Sequence, residues 1–106
     1  MIATPSAQIA GYRVIEDLGM VKGNTIRARH MGKDILAGFK SVVGGEIREY
    51  TKMMAEAREQ ALDRMLSEAD ALGADAVVNV RYSTSYVMGG AAEILVYGAA
   101  VRLEGD

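Results

Sequence analysis

The sequence predicts an α+β fold: a small antiparallel sheet packed by one long helix. Two observations carry that prediction. A stretch of about 25 residues ending at Gly73 repeats apolar residues every three or four positions, the spacing of a helix with one buried stripe. The final third of the chain then alternates in twos, in two runs separated by "GGAA", which is the pattern of a strand hairpin. The chain has 106 residues, the size of one domain, and can bury roughly 65% of its unfolded surface in one modest core.

The elements follow in order. From Tyr12 to about Arg29 the chain reads as extended. Val14, Leu18 and Met20 share a parity with Glu16, while Ile15 and Val21 take the other, so both faces are mixed. Gly19 and Gly23-Asn24 interrupt this stretch as a bulge or bend. A short helix is expected in "DILAGFKSVV", with Ile35, Phe39, Val42 and Val43 at helical spacing, Asp34 as its cap and Gly44 as its end. The long helix runs from Tyr50 to Leu72 at least. Its stripe is Ile47, Tyr50, Met54, Ala57, Ala61, Met65, Ala69 and Leu72; Glu49, Lys52, Glu56, Glu59, Asp63 and Arg64 lie largely off it, and Gly73 caps it.

In the strand "ADAVVNVRYSTSYVM", Ala76, Val78, Val80, Tyr82, Thr84, Tyr86 and Met88 share one parity; Val77, Asn79, Arg81, Ser83, Ser85 and Val87 share the other. The returning strand, "EILVYGAAVRLE", points Leu95, Tyr97, Val101 and Leu103 one way and Ile94 and Val96 the other, with small Gly98 and Ala100. A strand apolar on both faces expects cover on both. One long helix and one short one cover a single face well, so the sequence predicts self-association, which would remove the second face from water at roughly 25 cal/mol per Å².

Composition narrows the function classes. Half the residues are hydrophobic and a quarter charged, with net charge −2 and no cysteine. Nothing in that balance pulls the chain toward nucleic acid or an anionic membrane, and thiolate metal sites, disulfides and cysteine nucleophiles are excluded. The start, "MIATPSAQIAGYR", lacks the basic and apolar regions of a secretory signal, and "MGGAAEILVYGAAV" is short for a membrane helix. A cytoplasmic location is expected. The sole proline is Pro5, and no linker or internal repeat divides the chain.

Candidate chemistry is sparse. Gly44-Gly45 precedes a helix but is followed by Glu46 and Glu49 rather than by the lysine and hydroxyl of a phosphate loop, and reads as a corner. His30 sits among Arg27, Arg29 and Lys33, a basic patch that disfavours a metal ion, and has no carboxylate to orient it as a base. Without interleaved aromatics the patch does not read as a nucleic-acid surface. Glu56, Glu59 and Asp63 form a carboxylate ridge at i, i+3 and i+7, the weak candidates for a hard-metal site if copied around a ring; with Arg58 and Arg64 nearby the plainer reading is a solvated face. Tyr82, Tyr86 and Tyr97 read as cross-strand packing or a subunit contact ahead of a ligand platform. No catalytic residue and no cofactor-binding residue is expected, and the seven methionines are read as core filler.

The stretch "VVGGEIREYTKMMAEAREQALDRMLSEADALGADAVVNVRY", then "EILVYGAAV", resembles the YbjQ family of small bacterial and archaeal proteins. So does the earlier "GYRVIEDLGMVKGNTIRARH". The specific part is G-G-E-x-x-x-Y-T, then A-R-E-x-A, then A-x-x-L-G-A-D-A-V-V. The resemblance implies a dodecin-like subunit in which extra short strands help build a homopentameric ring. It also brings a label of heavy-metal binding, which a chain without cysteine or a histidine cluster does little to support. The function expected is non-enzymatic: a ring binding a small molecule or protein partner at its pore or subunit seams. The alternatives are metal binding by helix carboxylates and an enzyme with an intersubunit site.

Overall fold

The computed structural model describes residues 1–28, 44–87 and 91–106. Strand β1 (Ile2–Ala3) is followed by β2 (Tyr12–Ala28), helix α1 (Gly44–Ala71), β3 (Ala76–Val87) and β4 (Ala91–Gly105). The strands form one sheet in the order β1-β3-β4-β2. β4 is central among the three long strands and pairs antiparallel with both β2 and β3. The sheet is nevertheless mixed rather than antiparallel throughout, because β1 lies parallel to β3 through Ile2↔Ala76 and Ala3↔Val77. A two-residue strand has no periodicity to betray it. The expected short helix in Asp34–Val43 lies outside the described residues, as do His30 and the hairpin turn at residues 88–90.

Helix α1 has 28 residues, roughly 42 Å at 1.5 Å per residue. It begins at Gly44, earlier than the Tyr50 start expected from the sequence, because the charged, helix-forming run that follows outweighs the glycine. Met54, Ala57, Ala61, Met65 and Ala69 are buried along one stripe. The side chains of Ile47 and Tyr50 are outside the described set, and Leu72 is exposed, not buried. The helix stops one residue before it, where Gly73 takes φ 79°. There the Gly73 N–H donates to the Asp70 carbonyl and the Ala74 N–H to the Ala69 carbonyl, two hydrogen bonds that satisfy the last turn. Ala69 and Ala74 are both buried in the core beneath.

The three alanines of the stripe let the helix backbone lie almost on the sheet. Thr25 of β2 is buried, and its hydroxyl donates to the Ala57 carbonyl at 3.2 Å. Gly23 sits under Ala61 and Met65 with no room for a side chain. Gly23 is therefore no bend, contrary to the sequence reading; it is the point of closest helix–strand approach. The irregularities of β2 lie earlier, between Val14 and Glu16 and between Asp17 and Gly19, where Gly19 adopts φ 103°.

A bulge in β3 changes which residues meet the helix. Val78 pairs with Ala99 but Arg81 pairs with Tyr97, so β3 carries one extra residue, and Asn79 absorbs it at φ 55°. The simple alternation expected along this strand fails there. Ala76 and Val78 point to the sheet face away from α1 and pack with Val101, whereas Val77 and Val80 join the helix-side core. Beyond the bulge, Tyr82, Thr84 and Tyr86 pair with Val96, Ile94 and Ala92, the helix-side residues of β4. The bulge also explains Gly98, where a Cβ would stand 2.6 Å from Val77 Cγ1 and 2.9 Å from the Val78 carbonyl oxygen.

The far face has partial cover. Thr4 and Ser6 bond to β3 around the bulge: the Thr4 N–H donates to Val77, and the Val80 and Asn79 N–H groups donate to Thr4 and Ser6. The chain then crosses so that Ile9 packs on Ala76, Val78 and Val101, with Ala99 and Leu103 beside them.

Candidate functional site

A helix about 10 Å across spans roughly two strands spaced 4.8 Å apart. Here α1 packs on β2 and β4 and barely touches β3. The helix-side row of β3 beyond the bulge is consequently bare, with Tyr82 49% and Tyr86 77% exposed. Between this row and α1 lies a groove of about 660 Å³ lined by Ala3, Pro5, Leu62, Val80, Arg81 and Tyr82. Arg81 is held at its rim by donating to the Pro5 and Val80 carbonyls at 2.9 and 2.8 Å. Burial, and the Glu59 carboxylate after it, push the Tyr82 phenol above its ordinary 10.0, with Arg58 pulling the other way. Tyr82 is thus a neutral hydroxyl at physiological pH, at the border of an apolar hollow.

The opposite face carries large exposed hydrophobics interleaved with Lys22 and Asn24. Met20 and Ile26 of β2 stand 74% and 66% exposed, and Tyr97 of β4 is also exposed. Asp17 and Asn79 lie beside Met20 and Tyr97 around a smaller hollow, and Asp17 Oδ1 accepts from the Gly19 N–H at 3.0 Å.

The two sheet edges are treated differently. Along β2, α1 supplies partners: the Lys22 N–H donates to Glu68 Oε1 at 3.3 Å and Arg64 Nη1 donates to the Asn24 carbonyl at 2.7 Å. One turn earlier on the helix, Gln60 Oε1 accepts from Arg27. Residues 60, 64 and 68 thus form a row at i, i+4 and i+8 that occupies this edge, a recognised protection of an edge strand.

Of the residues singled out from sequence, the structure brings Tyr82 and Tyr86 onto one bare surface and places Tyr97 on the other side of the sheet. Glu56, Glu59 and Asp63 are exposed on α1, and Glu59 adjoins Tyr82. Among the described residues no group of three or more His, Asp or Glu side chains is placed to hold a metal ion. Pro5, Leu62 and the row Gln60-Arg64-Glu68 escaped the sequence reading. Leu62 and Leu66, apolar at i and i+4 beside the main stripe, were the available signal that the helix has a second apolar flank.

These features define a class: a small α+β domain with one helix over two of three long strands and exposed hydrophobic side chains on each side of the sheet. A model of the YbjQ family, described as "Putative heavy-metal-binding", matches residues 1–104, and the chain belongs to that family. It is 60% identical over 103 residues to a UPF0145 protein of Archaeoglobus fulgidus, covering 97% of this chain and 95% of that one. A UPF0145 protein of Thermotoga maritima is 58% identical over 104 residues, 98% of each chain. The fold is similar, with TM-score 0.65, to the crystal structure of a protein of unknown function from the DUF74 family of Pediococcus pentosaceus, at 19% identity over 98% of each chain. Among the described residues, no helix is long and apolar enough to cross a membrane.

Proposed function

We propose that the chain is the subunit of a dodecin-like, non-enzymatic homo-oligomeric ring, with five copies as the family resemblance implies, which binds a small molecule or protein partner at its seams or pore. The observation that carries this reading is the set of large exposed hydrophobic side chains on opposite sides of one sheet, Tyr82 and Tyr86 on one and Met20, Ile26 and Tyr97 on the other. Scattered exposed hydrophobics are ordinary on a monomer, but extended patches mark interaction surfaces. The shape of the chain supports the same reading. Its radius of gyration is 17.7 Å, with extents of 58 × 21 × 17 Å, against about 13 Å for a compact domain of this length.

Sedimentation and native mass spectrometry at micromolar concentration test the reading. The expected outcome is one closed species of five chains, and mass beyond that of five chains would identify a retained ligand. A stable monomer at that concentration overturns it.

A further inference from the structure

The hydrogen bonds of β3 fix which of its backbone groups face outward. At its start the strand is paired: the Val77 carbonyl accepts from the Thr4 N–H, and the Val80 N–H donates to the Thr4 carbonyl. The Val80 carbonyl accepts from Arg81 Nη1, which also donates to the Pro5 carbonyl. Backbone groups two residues apart in a strand point to the same side. Tyr82, Thr84 and Tyr86 therefore send their N–H and carbonyl groups outward, while Arg81, Ser83 and Ser85 turn theirs to Tyr97, Leu95 and Glu93 of β4. Among the described residues, β1 is the one strand on this outer side, and its pairing ends at Val77. Three donor–acceptor pairs thus stand along an edge that has neither charge nor proline from Tyr82 to Tyr86. The Arg64 and Glu68 arms that serve the β2 edge have no counterpart here among the described residues.

What fits such an edge follows from its chemistry and from its blocked end. N–H and carbonyl groups at the repeat of a strand are matched by another extended backbone. That line is already taken up to Arg81 by Thr4, Pro5 and Ser6, so a guest strand has one of its termini there. Arg81 decides which: both of its bonds use Nη1, and the guanidinium carries further N–H groups at Nη2 and Nε, which suit a carboxylate and repel an ammonium. Arg58 lies near Tyr82 as well, against the single carboxylate of Glu59. A guest therefore runs antiparallel to β3 and ends at Arg81. The groove opens at the same point, where Leu62, Val80 and Tyr82 offer an apolar lining to its last side chain. The final strand of a second copy is not such a guest, because β4 is paired with β2 as far as Tyr12↔Gly105.

Resting on the partner-binding part of the reading above and independent of the number of copies, we infer that β3 binds the carboxyl-terminal segment of another polypeptide as an added strand. Its backbone pairs with Tyr82, Thr84 and Tyr86, its last side chain is apolar and enters the groove, and its carboxylate meets Arg81. Guest residues on the helix side lie beside Tyr82 and Tyr86, which favours β-branched or aromatic side chains; those on the other side lie beside Ser83 and Ser85, which favours Thr or Ser.

The probe is the acetylated peptide Thr-Val-Thr-Val-Thr-Val with a free carboxylate, titrated to millimolar concentration into the isotope-labelled full chain and followed by NMR. The amides of Tyr82, Thr84 and Tyr86 are expected to exchange fast without peptide and at least about tenfold more slowly with it, while those of Ser83 and Ser85 stay as they were. Amidating the peptide's carboxyl terminus should weaken binding roughly tenfold, and Arg81→Gln should erase that difference. Thr84→Pro, tolerated where the N–H faces outward, should abolish binding. N-methylating alternate residues of the peptide should do the same against the unaltered protein, which removes any question of the variant's folding. No response at millimolar peptide, or equal binding of the acid and amide forms, overturns the inference and leaves oligomerisation standing. Protection of the three amides before peptide is added also overturns it, and its loss on dilution would identify a second copy as the occupant. A monomeric chain that still binds the peptide overturns the ring alone.

Discussion

Replacing Gly23 with alanine tests whether the helix backbone rests directly on β2. A Cβ at this position would fall on the Ala61 carbonyl oxygen and stand 2.5 Å from the Met65 backbone nitrogen and 2.9 Å from Arg64 Cβ. Two of these are main-chain atoms of a continuous helix and cannot swing aside as a flexible side-chain tip does. Clearing the Met65 nitrogen alone requires α1 to lift by about 0.9 Å, and clearing the nearer Ala61 carbonyl requires more; the lift is felt by Ala57, Ala61 and Met65, all fully buried on the same interface. Overpacking typically costs 1–3 kcal/mol, and with no soft neighbour the upper end, about 3 kcal/mol, is expected. At 4–8 °C per kcal/mol for a domain of this size, the melting temperature should fall by roughly 12–24 °C. Thermal unfolding followed by circular dichroism measures this, at one fixed protein concentration because assembly shifts apparent stability. Gly105→Ala, where a Cβ meets nothing within 4 Å, is the control and should leave the transition in place. A Gly23→Ala protein melting within about 4 °C of wild type would refute the close-approach argument.

Two further outcomes follow from the edge of β2 and from Tyr82. Arg64→Ala with Glu68→Ala strips the partners from the Asn24 carbonyl and the Lys22 N–H; stability should change by no more than about 1 kcal/mol while light scattering on prolonged incubation rises, and unchanged scattering would mean the row does not protect the edge. In an absorbance titration, the phenolate signal missing from Tyr82→Phe should belong to a group ionising above 10.0, and Glu59→Gln should lower it part of the way, burial being the larger cause. The sign for stability follows: the unfolded chain releases this proton first, so the contribution of Tyr82 is whole below pH 10.0 and is lost as pH rises through the folded value.

The sequence displayed what periodicity can display. The stripe from Met54 to Ala69, the cap at Gly73 and the two-faced strand β4 were all legible, because each repeats a spacing over many residues or uses a glycine that has one conformational explanation. Legibility failed wherever a feature depended on another element. Gly23 looks like an interruption of a strand until a helix carbonyl is found above it. Asn79 gives no sign of a bulge, yet it moves Val80, Tyr82 and Tyr86 to the other sheet face from Val78. The groove was invisible for the same reason: Pro5, Leu62 and Tyr82 are far apart in the chain and meet through the parallel pairing of a two-residue strand.

Why the open surfaces lie where they do follows from how far α1 reaches on each side. Toward β2 it extends polar arms: Arg64 and Glu68 meet backbone groups of the outermost strand, and Gln60 meets the Arg27 side chain. Toward β3 it presents Leu62 and Leu66, which lack hydrogen-bonding groups and stop short of the strand's bare row. Exchanging those two flanks would cover Tyr82 with polar side chains and leave a greasy border along β2, where an extended segment would pair with the free edge without limit. The arrangement found keeps the apolar opening off the backbone edge of β2 and places it on β3, whose outer side is paired by β1 only at Ala76 and Val77.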